Sequence, residues 1–392
     1  MLRAAKRITQ TSKKSFGMYD KAARKAATGA DLIHMELGSP YADTPGHIKQ
    51  ATIDALLRGD VHYSDMQGLP ALRQALAAKL RQQNAMAVTK DNVLVTSGIT
   101  HGSFATFMAL LDPGDEVILL EPYYPQHIGK IELAGAKVVL AELDAASNFA
   151  IDPERIAARI TQRTRMIVLV NPVNPTGRVY TRAELAALAE LAIRHDLIVV
   201  SDEVYEDIVF DHNVHISIAS LPGMAERTIT LFAFTKSYAM DGWRLGYLAA
   251  DVAFMPALLK ITTNDVTHIN TFIQAGAYAA ICGPRAALDE LVREDRQKRD
   301  YVVQRLNQLP GVTCRYPEAT IYAFPDIRQT GHSAQALADL LLERAGVVVE
   351  AGSFYGAAGE GHLRVCFGSQ PMARLQQAMD RMQRFFAELE HG

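Results

Sequence analysis

The chain is poor in cysteine. Only Cys282, Cys314 and Cys366 occur among 392 residues, far apart and without a CxxC spacing. That pattern excludes a zinc ribbon and fits a reducing compartment. No apolar run approaches the ~20 residues that a membrane span needs. Neither sign of charge dominates: 40 Lys and Arg stand against 43 Asp and Glu, for a net charge of −3. Such a balance argues against a nucleic-acid or membrane-surface partner. No internal repeat, low-complexity tract or Gly/Ser linker breaks the sequence.

What is present is apolar and long. Nearly half the residues (49%) are hydrophobic, enough for a large core and two domains, because single cores stop growing near ~250–300 residues. The opening stretch, MLRAAKRITQTSKKSF, is basic, hydroxyl-rich and free of acids. It is similar to a mitochondrial transit peptide, but the next element follows almost at once. It therefore reads as an N-terminal arm with no secretory signal, and the cytoplasm is the expected location.

Residues 1–30 read as that arm and a basic helix. Pro45 to Gly59 has the Pro-first, Gly-last asymmetry of a helix, and Pro70 opens another. From there short apolar runs alternate with helix-period segments. The runs are Val93–Ser97, Val117–Glu121, Lys137–Leu143, Met166–Asn171, Leu197–Ser201, Thr228–Phe234 and Leu245–Ala250. Helical patterns at Gly102–Leu111, Pro153–Ile160 and Arg182–His195 lie between them. The alternation predicts an α/β domain with a seven-stranded, mostly parallel sheet covered on both faces, spanning 45–285. After a long helical stretch through Leu309, runs at Val312–Tyr316, Ile321–Asp326, Gly346–Glu350 and Leu363–Phe367 surround a helix at Ala334–Ala345. Met372–Glu390 is a final helix. Residues 286–392 thus predict a smaller α+β domain, to which part of 1–44 contributes.

The organising stretch is Thr228 to Ala250, TITLFAFTKSYAMDGWRLGYLAA. Lys236 follows a buried-strand pattern directly, where open α/β sheets place their ligands. Partial desolvation there lowers an amine's pKa and suits it to Schiff-base chemistry. Arg244 offers a guanidinium to a phosphate. Taken alone, the pair is equally a snorkelling surface lysine and a salt-bridged arginine. Asp202 ends another run, and Tyr205 follows it; a helix cap would also explain such an Asp. Asn174 lies in NPVNPTG, a rigid turn at a strand end. Thr96-Ser97-Gly98-Ile99-Thr100 passes from strand to helix through Gly, and the bare N–H groups there suit an anion.

Together these pieces resemble one family. Ser97-Gly98, the DPGDEV segment from Asp112, NPTG at 174–177, SDEVY at 201–205, the Lys236 motif and LRVCFG around Arg364 fall in the order of the class I/II aminotransferases, enzymes of fold type I that use pyridoxal phosphate. The resemblance spans roughly Leu32 to Phe367. It implies that Lys236 bonds the cofactor aldehyde and shuttles a proton between Cα and C4′, with Asp202 keeping the pyridine nitrogen protonated. Tyr205 and Asn174 are then the hydrogen-bond partners of O3′, and Tyr124 stacks on the ring. Arg244 and the N–H groups of Gly98, Ile99 and Thr100 are implied phosphate ligands, joined by Tyr63 from the neighbouring subunit of a homodimer. Arg364, helped by Asn174 and the Gly38 backbone, is implied to hold the substrate α-carboxylate. The expected activity is transfer of the α-amino group of an L-amino acid to a 2-oxo acid. A β-eliminating C–S lyase on the same fold is the alternative. A regulator with a fused DNA-binding domain is disfavoured, since about thirty residues remain for that domain. No metal is expected.

Three positions depart from the family pattern. Ala233 stands where many relatives carry a phosphate-binding Ser, and Thr235 is expected to point to the opposite face. Tyr41-Ala42 replaces a common Asp-Phe. Asp241 replaces a frequent Thr, as a surface charge or as a partner for a cationic substrate.

Overall fold

The computed structural model describes residues 4–12 and 16–390. Seven strands form the main sheet: β1 (Val93–Thr96), β2 (Glu116–Glu121), β3 (Lys137–Glu142), β4 (Thr164–Val170), β5 (Ile198–Asp202), β6 (Thr228–Ala233) and β7 (Gly246–Ala249). Their order is β1-β7-β6-β5-β4-β2-β3. All pairings are parallel except those of β7, which runs against both neighbours.

Both faces of this sheet are buried, so its strands read as near-continuous apolar runs. Val117, Leu119, Met166 and Val168 pack on one side with Phe107 from helix Gly98–Leu110. Ile118, Leu120, Ile167 and Leu169 pack on the other with Leu185 and Leu188 from helix Arg182–Arg194. Each such side chain contributes about 1.5–3 kcal/mol through burial. The second helix starts on a reciprocal cap, with Thr181 Oγ1 accepting from the Glu184 amide and the Glu184 carboxylate accepting from the Thr181 amide.

The remaining elements gather round a second core that includes Val302, Leu337, Val347, Val365, Leu375 and Phe386. A three-stranded antiparallel sheet, β8 (Tyr322–Ala323), β9 (Glu350–Ala351) and β10 (Leu363–Cys366), is ordered β9-β10-β8. Ile33–His34 pairs with Val347–Val348, so an early segment joins a late one. The strand pieces are shorter here than the sequence predicts. Val312–Tyr316 forms a single bridge, Thr313 with Asp326, between the breakers Gly311 and Pro317. The run at Ile321–Asp326 yields two strand residues, and Pro325 lacks the N–H to extend the ladder. Helix Ala334–Leu340 widens into a π-type last turn, Leu341–Ala345, and ends at Gly346 with φ +64°. The predicted N-terminal helix is seen at Met18–Ala26; the rest of the basic arm includes 1–3 and 13–15, outside the described residues.

Candidate active site

The strand ends of the main sheet and β10 converge on one cleft of about 550 Å³, lined by Lys236, Asp202, Asn174, Tyr124, Arg244 and Arg364 among others. That is the size of a small-ligand site. Asp202 is the last residue of β5, Asn174 lies just beyond β4, Lys236 beyond β6, and Gly98 beyond β1. These are the C-terminal ends, where such sheets bind ligands. The sequence-predicted residues therefore meet in space, with one exception: Tyr63 is 85% exposed, edge-on to His268 at 4.9 Å, and is not in the lining of its own cleft.

Lys236 is half-buried, and burial holds its amine down to about 8. Its Nζ donates to the Gly38 carbonyl. Asp202 is 2% exposed; its Oδ2 lies 3.3 Å from His127 Nε2, and its Oδ1 accepts from the Val204 amide at 3.3 Å. Burial pushes the His127 imidazole below its ordinary pKa, which favours the neutral ring beside the Asp202 carboxyl. The His127 ring meets Tyr124 edge-on at 5.3 Å.

At the opposite end, Gly98 (φ +72°) opens a helix with its first amides bare, while Ile99 and Thr100 line the cleft. A Cβ at Gly98 would fall 2.8 Å from Arg244 Nη2, so only glycine lets the guanidinium lie against this helix start. Arg244 itself has φ +55°, and its Nη1 donates to the Asp241 carbonyl at 2.9 Å. Bare amides plus a guanidinium form a cradle for a dianion.

Arg364 comes from β10. Its Nη1 donates to Asn174 Oδ1 at 3.0 Å and its Nη2 to the Glu36 carbonyl. The guanidinium lies 4.2 Å from the Tyr322 ring centre and 4.9 Å from that of Tyr355. Buried rings hold the cation in one plane, ready for bidentate pairing with a carboxylate. In β9, Glu350 sits in register with Arg364. Its carboxyl, pushed up to about 7 by burial, accepts from the Met18 amide at 3.0 Å and ties the N-terminal helix to the cleft.

Two expectations about the departures need correction. The strand ends at Ala233 and the chain turns at once, so Thr235 lines the cleft rather than pointing away. Ala233 instead borders a separate crevice with Lys79 and Glu206. Asp241 is no surface charge: it lines the cleft, and its Oδ2 accepts from Ser39 Oγ at 2.8 Å. Sequence reading missed His127, Tyr322 and Tyr355. The first follows Tyr124-Pro125-Gln126 closely enough to have been suspected, but nothing local marks the two tyrosines.

A lysine with a lowered pKa, a buried aspartate, a dianion cradle and a caged arginine fit pyridoxal 5′-phosphate and an amino acid, on the architecture of fold type I. Residues 30–382 match the family model described as aminotransferase class I and II, and the chain belongs to that family. It is 37% identical to an aspartate aminotransferase of Musicola paradisiaca, over 96% of this chain and 94% of the relative. It is 38% identical to the arginine–pyruvate transaminase of Pseudomonas aeruginosa, covering 98% and 97%. The solved aspartate aminotransferase of Thermus thermophilus with maleate superposes with a TM-score of 0.93 at 33% identity, over 98% of this chain and all of that one. The protein is an aminotransferase that moves the α-amino group of an amino acid to a 2-oxo acid, with pyridoxal phosphate as cofactor.

Proposed function

We propose that Lys236 holds the cofactor aldehyde and carries the proton removed from the donor Cα. The observation that supports this most strongly is the lowered pKa of an amine set in one cleft with Asp202, Arg244 and Arg364. When bound, the cofactor supplies the electron sink that lets the α-proton leave. Asp202, with the His127 ring beside it, holds the proton on the pyridine nitrogen. Tyr205 and Asn174 would hydrogen-bond O3′, and Tyr124 would stack on the ring, all three lining the cleft. Arg244, with the amides of Gly98, Ile99 and Thr100, binds the phosphate, and the Thr235 hydroxyl is available where Ala233 offers none. Arg364, with Asn174 and the Gly38 backbone, orients the α-carboxylate.

The working unit in this reading is a homodimer, with 45–285 as the cofactor domain, 286–392 as the smaller domain, and 1–44 as arm and partial small domain. Tyr63 is a large exposed side chain remote from its own cleft, which suits a hydroxyl offered to the neighbouring phosphate. Mixing Lys236→Ala and Tyr63→Ala subunits tests this. Hybrid dimers regain one intact site, and at limiting cofactor the mixture should be more active than either parent. The cytoplasm is the proposed location, in keeping with three unpaired cysteines.

A second reading concerns the donor. Once phosphate, pyridinium and α-carboxylate have taken Arg244, Asp202 and Arg364, the Asp241 carboxylate is a negative charge left in the lining. It favours a cationic donor side chain over an acidic one, in line with the arginine–pyruvate relative. A donor screen against pyruvate and 2-oxoglutarate tests it.

A further inference from the structure

Tyr322 stands at the junction of the residues assigned to cofactor and to substrate. It is 2% exposed, and its ring lies under the Arg364 guanidinium. It pairs with Cys366 across β8 and β10, which puts Arg364 diagonally next to it. Its hydroxyl oxygen is 2.6 Å from that of Tyr205, with the two rings edge to face at 5.7 Å. On its third side lies Gly38, where a Cβ would fall 1.8 Å from the Tyr322 oxygen.

Two hydroxyls sharing one hydrogen bond leave one hydrogen over, and its direction matters. Burial raises both phenols, Tyr205 well above its ordinary value and Tyr322 to about 12, so both stay protonated at working pH. The Arg364 cation beside the Tyr322 ring makes that phenol the more acidic of the two, hence the donor. Tyr205 then accepts from Tyr322 and keeps its own O–H free to donate into the cleft.

We propose that Tyr322 is a positioning residue: its hydroxyl fixes Tyr205 as a hydrogen-bond donor toward the cofactor O3′, while its ring holds the plane of Arg364. One side chain thereby registers the substrate carboxylate against the cofactor. This rests on the assignment of Tyr205 and Lys236 above.

The test is a pH titration of the bound cofactor's absorbance in holoenzyme, without substrate. Donation to O3′ stabilises the form with more negative charge on that oxygen, which is the deprotonated one. Tyr322→Phe weakens the donation, so the titration midpoint moves up by roughly half to one pH unit. The Phe ring still lies under Arg364, so the donor KM changes by less than about threefold while kcat falls. Gly38→Ala reaches the same contact from the other side, by crowding the Tyr322 oxygen, and raises the midpoint too. In a Tyr205→Phe background, Tyr322→Phe adds no further shift, because the relay is already cut. Arg364 and Cys366, which act on both phenols, and Lys236, Asp202, Arg244 and Asp241, which share the cleft, are unaltered in these variants. An unchanged midpoint in both Tyr322→Phe and Gly38→Ala overturns the proposal, as does a full further shift in the Tyr205→Phe background. Absence of any titrating cofactor band in wild type would instead overturn the assignment of Lys236.

Discussion

Arg364 Nη1 donates to Asn174 Oδ1 at 3.0 Å, joining residues 190 positions apart in sequence. Asn174 belongs to the loop after β4 of the main sheet, and Arg364 to β10 of the small one. The bond draws the turn at 174–177 and the guanidinium proposed to bind the carboxylate into one arrangement. Arg364→Lys keeps the charge but loses the planar fork and the stacking on Tyr322 and Tyr355. Donor KM should rise about a hundredfold, roughly 3 kcal/mol, with cofactor retention unchanged on dialysis. A change confined to kcat would mean that Arg364 does not bind the carboxylate.

Asp202→Asn removes a negative charge without changing shape. The His127 imidazole beside it carries no negative charge in either protonation state, so it cannot replace the carboxylate. Turnover should fall roughly a thousandfold, the scale of losing a preorganised electrostatic contact, with the fold intact by circular dichroism. A loss of only a few fold would contradict the proposed orientation of the ring.

In the proposed role the Lys236 amine attacks in its neutral form, and burial holds its pKa down to about 8. The rate at which apoenzyme takes up cofactor should therefore rise with pH through about 8 and level off above it. An ordinary lysine amine would still be gaining reactivity near pH 10. A midpoint above 9.5 would contradict the desolvation argument.

Asp241→Asn should shift the ratio of kcat/KM for arginine over aspartate by about tenfold toward aspartate, or about 1.4 kcal/mol. A ratio unaltered by the substitution would assign Asp241 to holding Ser39 and nothing more.

The large sheet was legible because its strands are buried on both faces and each reads as an apolar run. All seven expected strands are found, mostly with ends shifted by one or two residues. The small sheet was less so. Pro325 and the short pairings of Tyr322–Ala323 and Glu350–Ala351 leave two-residue strands, too brief for a periodic signal. Of the expected site residues, those carried by local motifs, Lys236, Asp202, Asn174 and Arg364, line one cleft. Tyr322 and Tyr355 were not, because their importance comes from lying against Arg364, a contact that no local pattern encodes. Thr235 was misdirected: strand period would have put it on the face of Ala233, and the chain in fact turns after Ala233, so that the two residues border different hollows.

Lys236 is the residue proposed to bond the cofactor. Among the described residues, three lysines are more deeply buried than Lys236: Lys79 against Glu206, Lys130 with its Nζ 2.6 Å from Ser103 Oγ, and Lys298 against Glu294 at 2.7 Å. Reduction of the holoenzyme with borohydride, followed by peptide mass analysis, discriminates among them. The account predicts a single cofactor adduct on Lys236 and loss of that adduct in Lys236→Ala. An adduct on Lys79, Lys130 or Lys298, or wild-type turnover in Lys236→Ala, would contradict it.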